Sequence, residues 1–517
     1  MLKFSLTILI LSIVSQLCFA QNGEIIFNNL MVHTLEIVSN EPSGTLVNTL
    51  NQMRIADVES AVDITEVEWN YLMVGAFFDG EFIDSIGLRM KCGDVSCSVI
   101  KPSLKLDMNE FVSGKKYDGL KKINVDNCLH DPSLIREKIG YDLFGNIGES
   151  SRRTSFVNVV LDGEEYGTYV YIEQINKDYV KRCYGNKDGN LFKFNGRGML
   201  KLVGNNEEED YTHEVDLKTN ETENDWSDLL LLIDKVNNTA ENQFQDTISK
   251  YINVDAVLTY LAVANYMVYT DNLFSGGNNG YWYHNTETDK WEIIPHDLDL
   301  TFLADDNILG YNYSPENTQF INPINFNSKY PGVFTRILQV PEFENTYYEK
   351  CCQLSQQLGH RDSLKARVDF YKTILENAGL TPNPNMDYLS FAQPGNVYIS
   401  DYTFYGIKDF AEVRHEKFLA NFVEVEFECN EISGILNVQN PAALNIFPNP
   451  VSHSMNIEFN DNIQIEMIQI YNNNGKLVMQ LSNSLSPIDI SPLSNGIYFI
   501  VATTKRNNFS NKIIICK

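Results

Sequence analysis

The chain has 517 residues, of which 43% are hydrophobic and 12% aromatic, so it can build one large core or several smaller ones and is neither disordered nor collagen-like. Its formal net charge is −28 with no evident basic patch, which argues against nucleic acid as a partner. Residues 21–444 carry −30 and residues 445–517 carry +1, which predicts that the tail is a separate unit.

Residues 1–20 contain one early lysine, an apolar run, and small residues at Cys18 and Ala20. This pattern predicts an export signal peptide that is cleaved after Ala20. An uncleaved membrane anchor is the alternative, although the run is short for a span of about 20 residues. No other segment is long and apolar enough to cross a bilayer, so we expect no transmembrane segment in the mature chain.

Eight cysteines follow the leader, and an even number in an exported chain predicts disulfide bonds. Cys92 and Cys97 are the best local pair because they bracket a Gly-Asp turn. The pairing of the others stays open. A zinc site is the alternative, but the sequence has no C-x-x-C pair and no histidine at zinc-finger spacing.

Residues 21–175 read mainly as strands and turns, with Asp79-Gly80 and Asp162-Gly163 as hairpin turns. The predicted strands are Tyr71–Phe78, Phe82–Met90, Leu104–Met108, Phe156–Leu161 and Gly167–Ile172. One helix, starting at Asp131-Pro132-Ser133, interrupts them because apolar residues recur at helical spacing from Leu134 to Phe144. We therefore expect a mostly antiparallel sheet with one inserted helix.

Residues 176–430 are predicted to be mainly helical. The predicted helices are Trp226–Val236, Phe244–Ile252, Val254–Tyr266, Phe343–Leu358, Arg361–Ala378 and Asp409–Val425. A β-rich lobe over 21–175 followed by a helical lobe predicts an α+β, bilobal architecture with a ligand site between the lobes.

A polar linker at 431–444 precedes a tail of short strands with Gly and Asn turns, at 445–517. The predicted strands are Met455–Phe459, Ile465–Tyr471, Leu477–Leu481, Ile497–Thr503 and Lys512–Ile515. This pattern predicts a small all-β sandwich without an acid–base constellation.

The densest polar constellation surrounds a predicted hairpin, Tyr281–His284 with Trp291–Ile294. Asp271 precedes the hairpin, and Asp297 and Asp299 follow it. Because a hairpin brings its ends together, these carboxylates are expected to meet in one site. If the backbone is extended, Asp297 and Asp299 share one face while Leu298 and Leu300 point to the core.

Carboxylate and amide oxygens suit a hard cation such as Mg²⁺, Mn²⁺ or Ca²⁺ better than a soft metal. The order along the chain is a polar loop with Asp and Asn, two strands, then a second Asp. Protein kinases have the same order: a catalytic loop, two short strands and a metal-binding Asp. The alternative is that these acidic residues only cap surface turns, but the flanking Ile294, Leu298 and Phe302 favour an interior position.

Residues from about 30 to 425 resemble the CotH kinase family of atypical secreted kinases, which use ATP and a divalent metal. The segments that carry the resemblance are Ile86–Lys91, Lys101–Leu106, Asp131–Glu137, Gly167–Ile175 and Asp297–Leu300. The resemblance implies a bilobal, atypical protein-kinase-like fold. The chain has no G-x-G-x-x-G loop or Walker motif.

The resemblance also implies roles for individual residues. Asp297 is expected to be the principal metal ligand, supported by Asp299 and by Asn278 or Asn279, and Asp271 is expected to take the proton of the acceptor hydroxyl. Lys101 or Lys105 is expected to neutralise ATP phosphates, with an exposed strand lysine as the alternative for each. The remaining expected nucleotide-binding residues are Arg89, Arg136, Glu137, which would position that lysine, and Glu173 to Ile175, whose backbone would meet adenine. For Arg136 and Glu137, ordinary charges on a helix surface are the alternative. His296 precedes Asp297 and is expected to be packed among apolar residues and hydrogen-bonded.

The tail resembles the C-terminal sorting domain of type IX secretion, on the segments Ile446–Pro450, Ile470–Lys476 and Leu493–Tyr498. The resemblance implies export across the outer membrane by the type IX machinery, to the surface or the medium. A carbohydrate-binding sandwich is the alternative, although no aromatic platform is evident.

Two hypotheses for function follow. The first is a secreted kinase that transfers the γ-phosphate of ATP to Ser or Thr of an extracytoplasmic protein. The second is a non-catalytic surface or matrix protein that keeps the fold for binding. The sequence contains neither H-E-x-x-H nor G-x-S-x-G, so two hydrolytic classes are not supported.

Overall fold

The computed structural model divides into two compact units, Met1–Asn430 and Glu431–Lys517. It describes residues 22–29, 31–61, 67–91, 99–128, 131, 133–269, 271–305, 332–378, 403–404, 406–429, 444–447, 451, 453–459, 465–472, 477–482, 487–494, 496–504 and 508–515. The predicted leader, the Cys92–Cys97 pair and most of the predicted linker lie outside the described residues.

The first unit begins with a β-barrel. Its strands are β1 (Val32–Val38), β2 (Leu72–Phe78), β3 (Glu81–Met90), β4 (Leu104–Asp107), β5 (Lys122–Asp126), β6 (Thr154–Leu161) and β7 (Glu164–Ile172). These strands close in the order β1-β2-β3-β4-β5-β7-β6, and β1 runs parallel to β6. The predicted strand positions are confirmed, but the predicted antiparallel sheet is incomplete because local pattern does not show which strands close a barrel.

Alternation along the barrel strands separates an apolar interior from a partly polar outer face. Leu88 and Met90 on β3, and Leu104 and Leu106 on β4, are buried in the interior. Both predicted hairpin turns form: Asp79 and Asp162 adopt φ of 48°, and the glycines that follow adopt 87° and 84°. Positive φ at both positions is what a tight two-residue hairpin requires.

Helices dominate the rest of the first unit. They are α1 (Leu46–Ser60), α2 (Arg136–Asn146), α3 (Lys177–Tyr184), α4 (Ser227–Asn238), α5 (Glu241–Tyr251), α6 (Val254–Tyr266), α7 (Val333–Leu338), α8 (Pro341–Gln356), α9 (Arg361–Asn377) and α10 (Ile407–Glu424). All the predicted helices are present. Helix α2 begins at Arg136, five residues after the predicted start at Asp131, and the other bounds agree within three residues. Helix α6 is buried along its whole length from Ala256 to Tyr266 and forms the centre of the helical core.

A small sheet accompanies the helices. Its strands are β8 (Leu191–Phe194), β9 (Val215–Leu217), β10 (Gly280–Asn285) and β11 (Lys290–Pro295), in the order β11-β10-β8-β9. Strands β10 and β11 are the predicted hairpin. One face of the sheet joins the main helical core through Phe192, Trp282 and Ile293, while Leu191, Tyr281 and Ile294 form a separate cluster with α3. A short pair, β12 (Leu303–Asp305) with β13 (Thr403–Phe404), follows.

One disulfide joins Cys352 on α8 to Cys429, 77 residues later. Cys128, Cys183 and Cys351 are free thiols. The predicted disulfide bonding is therefore confirmed for one pair, but at least three of the eight cysteines are unpaired.

The second unit consists of short strands. They are β14 (Leu444–Phe447), β15 (Ser454–Phe459), β16 (Ile465–Asn472), β17 (Leu477–Ser482), β18 (Ile488–Asp489), β19 (Gly496–Thr504) and β20 (Asn508–Ile515). The sheets β14-β15-β18 and β17-β16-β19-β20 share one apolar core. The strands predicted for the tail are confirmed.

Candidate functional site

Two polar loops lie side by side at the ends of the β10–β11 hairpin. The Phe302 N–H donates to the carbonyl of Met267 at 2.8 Å, and the Tyr269 hydroxyl donates to the carbonyl of His296 at 2.7 Å. The His296 N–H donates to the carbonyl of Asn279 at 3.3 Å. These bonds hold the loop before the hairpin against the loop after it, as the sequence predicted.

Two amide groups fix the Asp271 carboxylate in the first loop. Asn278 Nδ2 donates to one carboxylate oxygen at 2.6 Å, and Asn279 Nδ2 donates to the other at 2.7 Å. Asn279 has a positive φ of 52°, which turns its side chain back onto Asp271. The Oδ1 atom of Asn278 is buried without a hydrogen-bond partner. The predicted residues Asp271, Asn278 and Asn279 therefore form one polar cluster.

Asp297 opens the second loop with φ of 62°, so the backbone there is left-handed rather than extended as predicted. Leu298 and Leu300 are nonetheless buried, which confirms the predicted core face. Burial and the neighbouring Asp299 raise the pKa of Asp297 to about 7, and Asp126 and Asp271 act in the same direction. Because Asp297 retains exposed surface, repulsion among the carboxylates is the firmer of these causes.

The donor set of these loops is made of oxygens. Mutual repulsion among Asp297, Asp299 and Asp271 is the condition that a divalent cation relieves, and the unpaired Asn278 oxygen is a further suitable ligand. Within the described ranges, no three His, Cys, Asp or Glu side chains already have the spacing of a metal site. The chemistry of the donors therefore fits a hard cation, and the metal site itself stays a prediction.

Lys91 is the barrel lysine that acts on this cluster, and no role was predicted for it from the sequence. Its Nζ lies 3.3 Å from Asp126 Oδ2, and its charge opposes the rise in the pKa of Asp297. Gly87, Arg89 and Lys91 alternate along β3 and its end, while Leu88 and Met90 are buried. This alternation along the Ile86–Lys91 segment places Lys91 on the same face as Arg89, and it is the signal that could have identified Lys91.

Arg89 and Lys105 lie beside each other on the outer face of the barrel, as cross-strand partners on β3 and β4. The Arg89 guanidinium stacks over the ring of Trp69 at 4.5 Å. Burial, then the charges of Arg89, Lys122 and Lys91, hold the pKa of Lys105 well below its ordinary value. The cations on this face therefore carry more positive charge than the neighbouring acidic residues neutralise.

Lys101 is engaged elsewhere. Its Nζ donates to the carbonyl of Thr168 at 2.7 Å and lies 4.7 Å from the centre of the Tyr169 ring. Burial lowers its pKa. Of the two lysines predicted to meet phosphate, Lys105 therefore lies beside the other outer-face cations, and Lys101 packs on β7.

Arg136 at the start of α2 is 1% exposed, so the alternative of a surface charge is wrong. Its Nη1 donates to the carbonyls of Thr301 at 3.4 Å and Phe302 at 3.2 Å, and its Nε lies 3.5 Å from Asp131. These contacts tie α2 to the chain that follows Asp299. In this arrangement Arg136 supports the second loop, and its nucleotide-binding role stays a prediction.

Glu137 is 6% exposed, so it is not a surface charge either. It accepts a hydrogen bond from the Tyr141 hydroxyl at 3.1 Å and lies 4.0 Å from Arg152, rather than contacting Lys101 or Lys105 as expected. Burial, then Asp126, raise its pKa to about 8; Asp297 adds to this, and Arg152 and Lys91 oppose it. Glu137 therefore belongs to the same electrostatic cluster as Asp297.

Glu173 follows β7, where the barrel meets the helical part. Its carboxylate pairs with Arg153 and Arg182, each at 2.6 Å. Its N–H donates to Arg153 O, and its carbonyl accepts from Arg152 Nε at 2.7 Å. Ile175 is buried in the cluster with α3. The adenine role of Glu173 to Ile175 stays a prediction, and the backbone groups of Glu173 already have partners within the protein.

Two family models match the chain. The model described as CotH kinase protein matches residues 89–417, and the model described as secretion system C-terminal sorting domain matches residues 445–516. The sorting domain indicates type IX secretion to the cell surface or the extracellular space. Among the described residues, no helix has the length and apolarity needed to span a membrane.

Two curated proteins are similar to part of the chain. Inner spore coat protein H of Bacillus subtilis is 29% identical over 242 residues, which is 46% of this chain and 63% of that protein. Invasin CotH2 of Rhizopus delemar is 23% identical over 215 residues, which is 39% of this chain and 35% of that protein. The chain thus spans less than two thirds of the length of either relative.

Proposed function

The chain belongs to the CotH kinase protein family, and from that premise we propose that it is a secreted atypical kinase. In this proposal it transfers the γ-phosphate of ATP to Ser or Thr hydroxyls of an extracytoplasmic protein. The observation that carries the proposal is the pairing of two features: a carboxylate cluster around Asp297, and Lys91, which acts on it and belongs with Arg89 and Lys105 to the cations of the barrel face.

Asp271 orients the acceptor hydroxyl and accepts its proton as the phosphoryl group is transferred. The amides of Asn278 and Asn279 hold both oxygens of its carboxylate, so the base is oriented before the substrate arrives. Such preorganisation lowers the cost of reaching the reacting geometry. The bonds between the two loops keep Asp271 in a fixed relation to Asp297.

Asp297 and Asp299, with Asn278 or Asn279, are the residues that would hold a divalent cation. When bound, Mg²⁺ or Mn²⁺ supplies neutralisation of the negative charge on the phosphates. Ca²⁺ has the same preference for oxygen ligands.

Lys105, Lys91 and Arg89 neutralise the nucleotide phosphates from the barrel side. Lys105 is enclosed among other cations, which is unfavourable in the absence of an anion. A chain of net charge −28 repels a polyanion at long range, so attraction must come from such local cations. Lys101, which packs on Thr168 and Tyr169, is assigned a supporting role in the barrel.

Transfer of labelled γ-phosphate tests this function. The purified protein is incubated with Mg²⁺ or Mn²⁺ and γ-labelled ATP, with itself and casein as acceptors. We expect Asp297→Ala and Asp271→Ala to reduce labelling by at least a hundredfold, because each removes a group that acts in the transition state. Asp289→Ala, at a highly exposed aspartate in the hairpin loop, is the matched control and should label like wild type. Equal labelling by all four proteins would refute the site assignment.

The second candidate is a non-catalytic surface protein. The names of the two relatives, a spore coat protein and an invasin, favour it because neither name describes an enzyme. The same preparation distinguishes the candidates. If wild type binds no ATP in the presence of Mg²⁺ or Mn²⁺, the kinase proposal fails and the binding protein is favoured.

A further inference from the structure

Lys193 on β8 is a second cation close to the carboxylate cluster, and it belongs to the small sheet rather than to the barrel. In the sheet register it lies beside Tyr281 on β10 and Asp216 on β9. Leu191, two residues earlier on β8, and its cross-strand partner Tyr283 on β10 lie on the same face and belong to the apolar cluster with α3. The side chain therefore projects from the face that carries Tyr281 rather than from the face in the main helical core.

The small sheet brings Lys193 near the site, because its cross-strand neighbour Tyr281 contacts the ring of His296, the residue before Asp297. Burial and Lys218 lower its pKa, Asp216 and Asp297 oppose that change, and Lys91 adds to it. Lys218 forms an ion pair with Asp216 at 3.1 Å. Within the described part of the chain, the Lys193 ammonium has neither a hydrogen bond nor an ion pair. It is thus influenced by the charges of both Asp297 and Lys91 without a direct side-chain partner among these residues.

His296 provides a second view of the same arrangement. Its ring contacts Tyr281 edge-on, with centroids 5.4 Å apart, and its Nδ1 is buried without a hydrogen-bond partner. Tyr281 is the cross-strand neighbour of Lys193, so this ring contact links β8 to the loop that carries Asp297.

We propose that Lys193 binds the polyphosphate of the nucleotide from the small-sheet side, opposite Lys91 and Lys105 on the barrel. This inference rests on the proposed function and extends it by one residue for which neither the sequence nor the family resemblance predicted a role. Lys91 and Lys193 belong to different sheets, and a polyanion between them replaces their mutual repulsion by two attractions. In this arrangement Lys193 contacts the phosphates, and its charge does not contribute to binding of the nucleoside.

A comparison of two ligands tests the proposal. Binding of ATP and of adenosine, each with Mg²⁺, is measured by calorimetry for wild type and Lys193→Met. We expect the affinity for ATP to fall about tenfold to a hundredfold, as for loss of a charged hydrogen bond, and the affinity for adenosine to change less than twofold. Lys193→Arg should recover most of the ATP affinity because it restores the charge.

Lys187→Met is the matched control, since Lys187 is an exposed lysine shortly before β8. It should bind both ligands like wild type, and the melting temperatures of all variants should be similar. Equal losses of affinity for ATP and adenosine in Lys193→Met, or no loss for either ligand, would overturn the proposal. The proposed function would still stand in that case if wild type binds ATP. If wild type does not bind ATP, the proposed function fails, and this inference fails with it.

Discussion

The Asp271 carboxylate depends on individual amide groups, which leads to a prediction for Asn278. Asn278→Ala removes the 2.6 Å hydrogen bond to one carboxylate oxygen. Because the Asn279 bond remains, the base should keep part of its orientation, and phosphoryl transfer should fall about tenfold, the equivalent of roughly 1.4 kcal/mol. Initial rates with labelled ATP measure this. Asn186→Ala is the control, at a partly exposed asparagine whose amide donates to Thr286 and accepts from the Asp188 N–H, and it should keep its rate. A wild-type rate in Asn278→Ala would contradict the prediction.

Arg136 is predicted to matter for stability. Its guanidinium is buried beside Asp131 and donates to the carbonyls of Thr301 and Phe302. Arg136→Met leaves a buried carboxylate without its cation, so the free energy of unfolding should fall by about 3–5 kcal/mol. Urea denaturation followed by circular dichroism measures the change.

Lys372→Ala is the control for that experiment. Its partner Glu376 is four residues along α9, at 3.6 Å on the surface. Loss of such a pair should change the free energy of unfolding by less than about 0.5 kcal/mol. Equal losses in the Arg136 and Lys372 variants would show that Arg136 does not act as a buried anchor.

Single residues were predictable where a local pattern determined their position. Asp271, Asp297 and the asparagines could be grouped because a hairpin lies between them. The roles of Arg136 and Glu137 were harder to predict because their burial depends on how α2 packs against residues that are distant in the sequence. Lys91 was missed although it alternates with Arg89 along β3, since the sequence does not show which face of the strand meets the carboxylates.

At the level of elements, the β10–β11 hairpin carries a pH-dependent contact. His284 Nδ1 lies 2.9 Å from Asp228 on α4. Burial opposes the charged form, but the hydrogen bonds and charges of Asp228 and Asp289 outweigh it and raise the pKa of His284. A raised folded-state pKa stabilises the fold fully below the unfolded value of about 6.5, and this contribution disappears as the pH rises through the folded value.

His284→Gln should therefore cost more stability at pH 5.5 than at pH 8.5. The free energies of unfolding of wild type and variant, measured by urea denaturation at both values, give the comparison. A difference between the two proteins that does not change with pH would contradict the assignment of His284 as a charged partner of Asp228.

Elements with strong periodicity were predicted well, and elements without it were missed. Helices α4 to α6 and α8 to α10 have apolar residues at helical spacing. Helix α1 was missed because only Leu46, Leu50 and Asp57 are buried on it. Strands β8 and β9 span four and three residues, which is too short to show alternation, and their pairing with β10 depends on distant sequence.

For the first unit as a whole, the Cys352–Cys429 disulfide closes a long stretch of chain that contains α9 and α10. Cross-linking residues so far apart reduces the entropy of the unfolded chain. The double variant Cys352→Ser, Cys429→Ser should lose about 2–4 kcal/mol of unfolding free energy under oxidising conditions. Cys183→Ser, at a free thiol, is the control and should lose less than about 1 kcal/mol. A double variant as stable as wild type would contradict this role.

The coarse organisation of the molecule was predictable: a sheet-rich part, a helical part and a β-rich tail. Composition and periodicity report such features over long windows. Barrel closure was not predictable, because β1 and β6 pair across more than a hundred residues. The influence of Lys91 and Lys193 on Asp297 was not predictable for the same reason, since it depends on how the barrel, the small sheet and the loop after the hairpin pack together.

Mn²⁺ binding in the presence of a non-hydrolysable ATP analogue is the most direct test of the central claim, that the carboxylates after the β10–β11 hairpin hold a divalent ion beside the nucleotide. The free Mn²⁺ signal in electron paramagnetic resonance reports the bound fraction. We expect wild type and Asp289→Asn to bind the ion, and Asp297→Asn and Asp299→Asn to bind it at least tenfold more weakly. Equal Mn²⁺ affinity in wild type and Asp297→Asn would contradict the account.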